Sequence, residues 1–162
     1  MAKEIKTNVM RILDREKRPY QCYFYEHGDE AVDGISVAQR LGQNPDQVFK
    51  TLVTKGTSKR YYVFVIPVAK ELDLKAAARA VGEKSVAMLP VKELTPLTGY
   101  VRGGCSPIGM KKQFATVFDE SCLAQPTILV SGGRIGTQIE CAPADLVKVT
   151  RGKTAAITAE NA

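Results

Sequence analysis

Apolar residues Ile5, Val9, Ile12 and Leu13 recur at helical spacing, and Pro19 ends the run, so the chain is predicted to begin with an amphipathic helix. "YQCYFYEH" then reads as an aromatic-rich strand, followed by a polar loop, "GDEAVDG". Ser36 can cap a short helix that Gly42 closes, and "NPDQ" offers a second cap with Pro45 at the first helical position. "VFKTLVTK" and "YYVFVIPVA" are two strand-like runs joined by "GTSKR", a hairpin signal. Asp73 can cap "LKAAARAVG", with Gly82 at its end. "EKSVAML", "TGYV", "ATVFDES", "TILVS" and "TQIEC" read as short strands, the last two joined by a glycine-rich turn. Pro143 opens a closing helix, "PADLVKV", and the small polar residues from Gly152 read as a loose tail.

Helices interspersed with hairpin strands predict a mixed α/β domain rather than a doubly wound parallel sheet. The 162 residues suit one domain, taken here as 1–152, with a flexible tail over 153–162. No apolar run approaches the ~20 residues that span a bilayer, and the charged, acid-containing N-terminus does not read as a signal or transit peptide. A cytoplasmic location is the expectation. The formal charge of +6 favours polyanionic partners such as RNA, although a solvated basic surface accounts for it equally well.

Little of the usual catalytic chemistry is available. His27 is the single histidine and follows the aromatic strand, away from any nucleophile motif. Cys22, Cys105, Cys122 and Cys141 contain no CxxC pair, so no metal site is expected and the thiols read as reduced and structural. No cofactor motif is present: "RGGCSPIGMKK" lacks the GK[ST] of a P-loop and the GxGxxG of a dinucleotide site. That loop, with "SGGRIG" further on, is either a pair of tight corners or a place where main-chain N–H groups approach a ligand. Lys50 interrupts the apolar run "VFKTLV", and alternation would set it on one face with Leu52. It is either a gatekeeper on a strand edge or a cation facing a polar cavity.

In order and spacing, "FYEH", "LGQNPDQVFKTL", "PVAKELDLKAAARAVG", "GYVRGGCSPIGMKK" and "VSGGRIGTQIE" resemble the YbaK/EbsC family of free-standing aminoacyl-tRNA deacylases. That family is related to the editing domain of bacterial prolyl-tRNA synthetases, and the resemblance runs from about Val9 to Val149. It implies a single domain whose mixed, partly closed β-sheet is flanked by helices, with a cleft for the aminoacylated 3′-terminal adenosine. It assigns Lys50 the family's essential lysine, and Gly104 a main-chain donor to the aminoacyl group beside Gly103. Tyr25, Thr51, Ser131, Gly132 and Gly133 would contact substrate; Arg102, Lys111, Lys112 and Arg134 would hold tRNA electrostatically, unless they are solvated surface. The implied reaction is deacylation of mischarged Cys-tRNA(Pro), and of Cys-tRNA(Cys) with it. The substrate's own thiolate would attack its carbonyl and leave as a thiolactone. The partners implied are the acceptor end of tRNA(Pro) and, transiently, prolyl-tRNA synthetase. Two alternatives stand beside it: a deacylase of another small aminoacyl-tRNA such as Ala-tRNA(Pro), and a non-catalytic RNA- or synthetase-binding module. Two departures bear on specificity: Cys105 replaces a residue often aliphatic in the family, and Gln138 stands where some relatives carry an acid.

Overall fold

The computed structural model describes residues 6–26 and 33–159; Ile5, His27 and residues 28–32 of the polar loop lie outside the described residues. The first helix, α1 (Asn8–Arg15), is capped by Thr7, whose hydroxyl accepts from the Met10 amide at 3.3 Å, and it buries Val9, Met10 and Leu13. Strand β1 (Tyr20–Phe24) follows Pro19. Helix α2 (Gly34–Leu41) is capped by Asp33 and not by Ser36. A carboxylate at the positive end of a helix is the stronger acceptor. It takes the Ser36 amide at 2.9 Å and the Ser36 hydroxyl at 2.8 Å. Gly42 closes α2 in the left-handed region, with φ of 65°. Asn44 then caps a single 3-10 turn, Pro45–Gln47.

Strands β2 (Phe49–Gly56) and β3 (Tyr61–Pro67) form the expected antiparallel hairpin. Helix α3 (Leu74–Val81) starts where Asp73 accepts from the Lys75 and Ala76 amides at 3.0 and 3.1 Å, and Gly82 ends it. After β4 (Val86–Met88) comes a helix that the sequence reading lacks, α4 (Val91–Thr98). "TGYV" is therefore not a strand: Thr98 ends α4 and Gly99 caps it at φ 87°. Pro96 inside α4 has no N–H to donate, but Thr98 gives its hydroxyl to the Leu94 carbonyl at 2.8 Å and helps hold the last turn. The remaining elements are β5 (Ala115–Asp119), β6 (Ile128–Ser131), β7 (Thr137–Cys141), α5 (Pro143–Thr150) and β8 (Lys153–Ala155).

Two sheets result. One has the antiparallel order β1-β7-β6; the other is mixed, in the order β4-β2-β3-β5-β8, with β3, β5 and β8 mutually parallel. A parallel bridge between Val48 and Leu129 joins them, so the molecule has a partly closed mixed sheet flanked by helices. The continuous apolar run of β3 follows from burial on both faces. Val63 and Val65 enter the main core with Phe118, Ile128, Ile139 and Leu146, while Tyr62, Phe64 and Ile66 pack under α3 with Val117 and Ile157. Full burial of a side chain such as Phe64 is worth ~1.5–3 kcal/mol.

The expected loose tail is instead part of this second core, up to Ala159. β8 pairs with β5 in the register Val117–Lys153 to Asp119–Ala155. The buried Asp119 carboxylate accepts from the Ile157 amide at 3.1 Å, and Ile157 itself is fully buried. Small polar composition concealed one anchoring isoleucine.

Candidate active site

β2 pairs with β4 only over Thr54–Gly56, so β4 does not cover the first half of its outer edge. At that edge the two sheets part beyond the Val48–Leu129 bridge and enclose a cavity of about 140 Å³. Val48, Phe49, Lys50 and Thr51 all line it. Four consecutive residues can do this only if the strand meets the cavity edge-on, since alternation would send every second one away. This explains how Lys50 can stand in an apolar run without entering the core. Lys50 has no ion-pair partner among the described residues. The Thr51 hydroxyl is buried and makes no hydrogen bond, a state that is expensive unless a ligand supplies the partner.

The other walls come from distant parts of the chain: Tyr25 after β1, Gly34 and Val37 of α2, Val68 after β3, Gly103 and Cys105 of the first glycine loop, and Ser131, Thr137 and Gln138 of the β6–β7 hairpin. Of the residues expected at the site, Lys50, Thr51, Tyr25, Gly103 and Ser131 meet here. Gln138 is nearly buried, and its Oε1 accepts from Gln43 Nε2 at 2.7 Å. The apolar wall of Val37, Val48 and Val68 was missed by the sequence reading. A lone valine carries no chemical signal, and these belong to three separate segments.

Gly104 differs from its expected role. Its amide donates to the Val101 carbonyl at 3.0 Å, closing a turn, so it is not a free donor toward the cavity. The absence of a side chain there serves packing: a Cβ would lie 2.8 Å from both Arg134 Cα and the Ile135 nitrogen. Two loop backbones touch at Gly104. Its neighbour Gly103, at φ 86°, lines the cavity, and its amide has no acceptor among the described residues. In the second loop the Gly132 amide donates to the Thr137 carbonyl at 2.8 Å and the Gly133 amide to the Ser131 hydroxyl at 3.2 Å. Both shape the hairpin and neither lines the cavity.

Burial pushes the Cys105 thiol up to about 12, so it is protonated at neutral pH and a poor nucleophile. The four expected cations are all exposed, and none of them lines the cavity. Arg134 is held by a hydrogen bond from Nε to the Thr137 hydroxyl at 3.0 Å. Lys111 Nζ donates to the Pro96 carbonyl at 3.2 Å, and Lys112 lines a separate groove with Arg15 and Arg151.

Known proteins resemble this chain in sequence and in fold. Residues 29–149 match the family described as "Aminoacyl-tRNA editing domain". Over 153 residues the chain is 47% identical to a protein of Enterococcus faecalis (strain ATCC 700802 / V583) named "Putative Cys-tRNA(Pro)/Cys-tRNA(Cys) deacylase EbsC"; the match covers 94% of this chain and 93% of that one. A solved structure described as "hypothetical protein APE2540" superposes with a TM-score of 0.83 at 23% identity, covering 93% of this chain and 99% of that one. Another, described as "a putative trans-editing enzyme for prolyl tRNA synthetase", gives 0.79 at 24% identity, with coverage of 95% and 99%. At that identity the two structures speak for the fold alone. The match over three quarters of the length and the close full-length relative settle the kinship: the chain belongs to the aminoacyl-tRNA editing domain family.

Proposed function

We propose that the protein is a trans-editing deacylase that clears cysteine from mischarged Cys-tRNA(Pro), and from Cys-tRNA(Cys) as the name of its Enterococcus relative suggests. The observation that carries this reading is the convergence of Lys50, Thr51, Tyr25, Gly103 and Ser131 on one cavity of about 140 Å³. A small aminoacyl group fits within that volume. An aminoacyl ester is already activated, so the protein need only orient it and stabilise the charge that develops on its carbonyl oxygen. The Gly103 amide and the Lys50 ammonium are the donors for that charge, and the Thr51 hydroxyl is a third polar contact.

The nucleophile is the substrate's own thiolate. Its sulfur attacks the carbonyl carbon, a C–S bond forms, and the C–O bond to the ribose breaks. The ribose oxygen leaves and takes up a proton, and the cysteine departs as a cyclic thiolactone. Support comes from what the chain offers instead: the cavity's one thiol, Cys105, is buried and held neutral. Phosphate contacts by cations such as Arg134 carry no sequence information. We infer that tRNA identity is read by prolyl-tRNA synthetase, which would hand over the mischarged product. The test is deacylation of tRNA(Pro) charged with cysteine, alanine, serine or proline, with and without the synthetase. Cysteine should be removed fastest and appear as thiolactone. Release of alanine in preference to cysteine would overturn the substrate assignment.

A further inference from the structure

A second concavity, of about 420 Å³, adjoins the candidate active site and is lined by Phe24, Val101, Arg134, Ile135, Gly136 and Thr137. Thr137 lines both spaces, so the two share a wall. The sequence explains the division. Phe24 and Tyr25 are successive at the end of β1, and successive side chains in extended backbone point to opposite sides. Tyr25 faces the inner cavity and Phe24 the outer one. The Tyr25 amide donates to the Gly136 carbonyl at 3.0 Å, which fixes this strand end against the hairpin turn, and Phe24 pairs with Thr137 in the β1–β7 register. The floor is firm, because the Val101–Gly104 turn packs backbone to backbone against Arg134 and Ile135.

Two features mark this as more than a surface dent. Phe24 and Val101 are 41% and 47% exposed and line the same concavity, so two apolar side chains stand together in solvent. Arg134 is exposed at the same rim, and its guanidinium is oriented by the Thr137 hydroxyl. An exposed aromatic face beside an oriented cation is the pairing that single-stranded nucleic acid uses, base on ring and phosphate on cation.

We propose that the outer concavity is a subsite for the nucleobase preceding the terminal adenosine of the acceptor strand. This rests on the deacylase reading for the position of the terminal adenosine. The base stacks on Phe24 between Val101 and Ile135, and Arg134 holds the phosphate that links it to the terminal nucleotide. Phe24 and Arg134 thus bind substrate without touching the reacting ester.

The experiment measures binding and turnover in parallel on the full chain. A fluorescent, uncharged CCA trinucleotide and AMP are titrated into the wild type and into Phe24→Ala, Phe24→Tyr and Arg134→Gln. Deacylation of Cys-tRNA(Pro) is followed in the same preparations. Phe24→Ala should weaken CCA binding roughly tenfold, the scale of losing one base–aromatic stack. It should leave AMP binding unchanged and raise the KM for Cys-tRNA(Pro) by a similar factor, and Phe24→Tyr should restore CCA affinity. Arg134→Gln should reduce the salt dependence of CCA binding by about one phosphate contact. Unchanged CCA affinity in Phe24→Ala, or an equal loss for AMP, would overturn the subsite. Wild-type protein that binds CCA as described but deacylates nothing would refute the deacylase reading while leaving the subsite in place.

Discussion

Lys50 and Gly104, both expected at the site, differ in what the fold makes of them. A cation in an apolar run is conspicuous because its burial would be costly, and Lys50 lines the cavity. Gly104 was equally conspicuous, but a glycine-rich loop does not reveal which amide is already engaged. The amide of Gly104 closes a turn onto Val101, and its missing side chain admits the backbone of Arg134 and Ile135. Gly104→Ala should therefore destabilise the protein by ~1–3 kcal/mol, the usual range for overpacking where the neighbours cannot yield. It should also lower turnover, because the displaced turn carries Gly103. Thermal melting and deacylation on one preparation check this. An unaltered melting temperature with lost turnover would restore the donor role to Gly104.

At the level of elements, local chemistry was most legible where a side chain speaks directly to the backbone. Asp73, Asn44, Gly42 and Gly82 set the ends of their helices as their residue types require. The β2–β3 hairpin was legible from two β-rich runs and a turn. Elements held by tertiary contact were not. Helix α4 has Pro90 at its N-cap with no side-chain cap hydrogen bond, and it contains Pro96, so it lacks a local signal of its own. Strand β8 has only three residues, of which Thr154 alone favours a strand, and is held by β5, Asp119 and the burial of Ile157. Ile157→Ala should therefore cost about 2–5 kcal/mol, the usual range for truncating a fully buried isoleucine. Denaturant unfolding measures it. A change below about 0.5 kcal/mol, the scale of a surface substitution, would mean that the C-terminal segment is a loose tail after all.

For the molecule as a whole, the cysteines make stability depend on alkaline pH. Burial raises the thiol of Cys105 to about 12 and those of Cys122 and Cys141 to about 11, against an ordinary value of 9.0. The unfolded chain therefore loses these protons first as pH rises. Their contribution to stability is complete below about pH 9 and declines above it, until the native thiols ionise near pH 11 to 12. The melting temperature should fall from pH 9 upward, and less steeply in Cys105→Ala. A flat profile from pH 9 to 10.5 would contradict the burial of these thiols. Among the described residues no helix is long and apolar enough to cross a membrane.

The site itself was only partly legible from sequence, because its walls are drawn from both sheets and from α2. The functional account stands or falls on whether the cavity beside β2 is where the ester is cleaved. The most direct measurement is Cys-tRNA(Pro) deacylation by wild type and Lys50→Ala, compared at equal folded concentration. Lys50 lies at an open strand edge and packs no core, so the variant should melt within a few degrees of wild type. Its turnover should fall by about 10²-fold or more, the scale of losing one group that stabilises developing charge. A folded Lys50→Ala protein that clears cysteine within a few-fold of the wild-type rate would contradict the account.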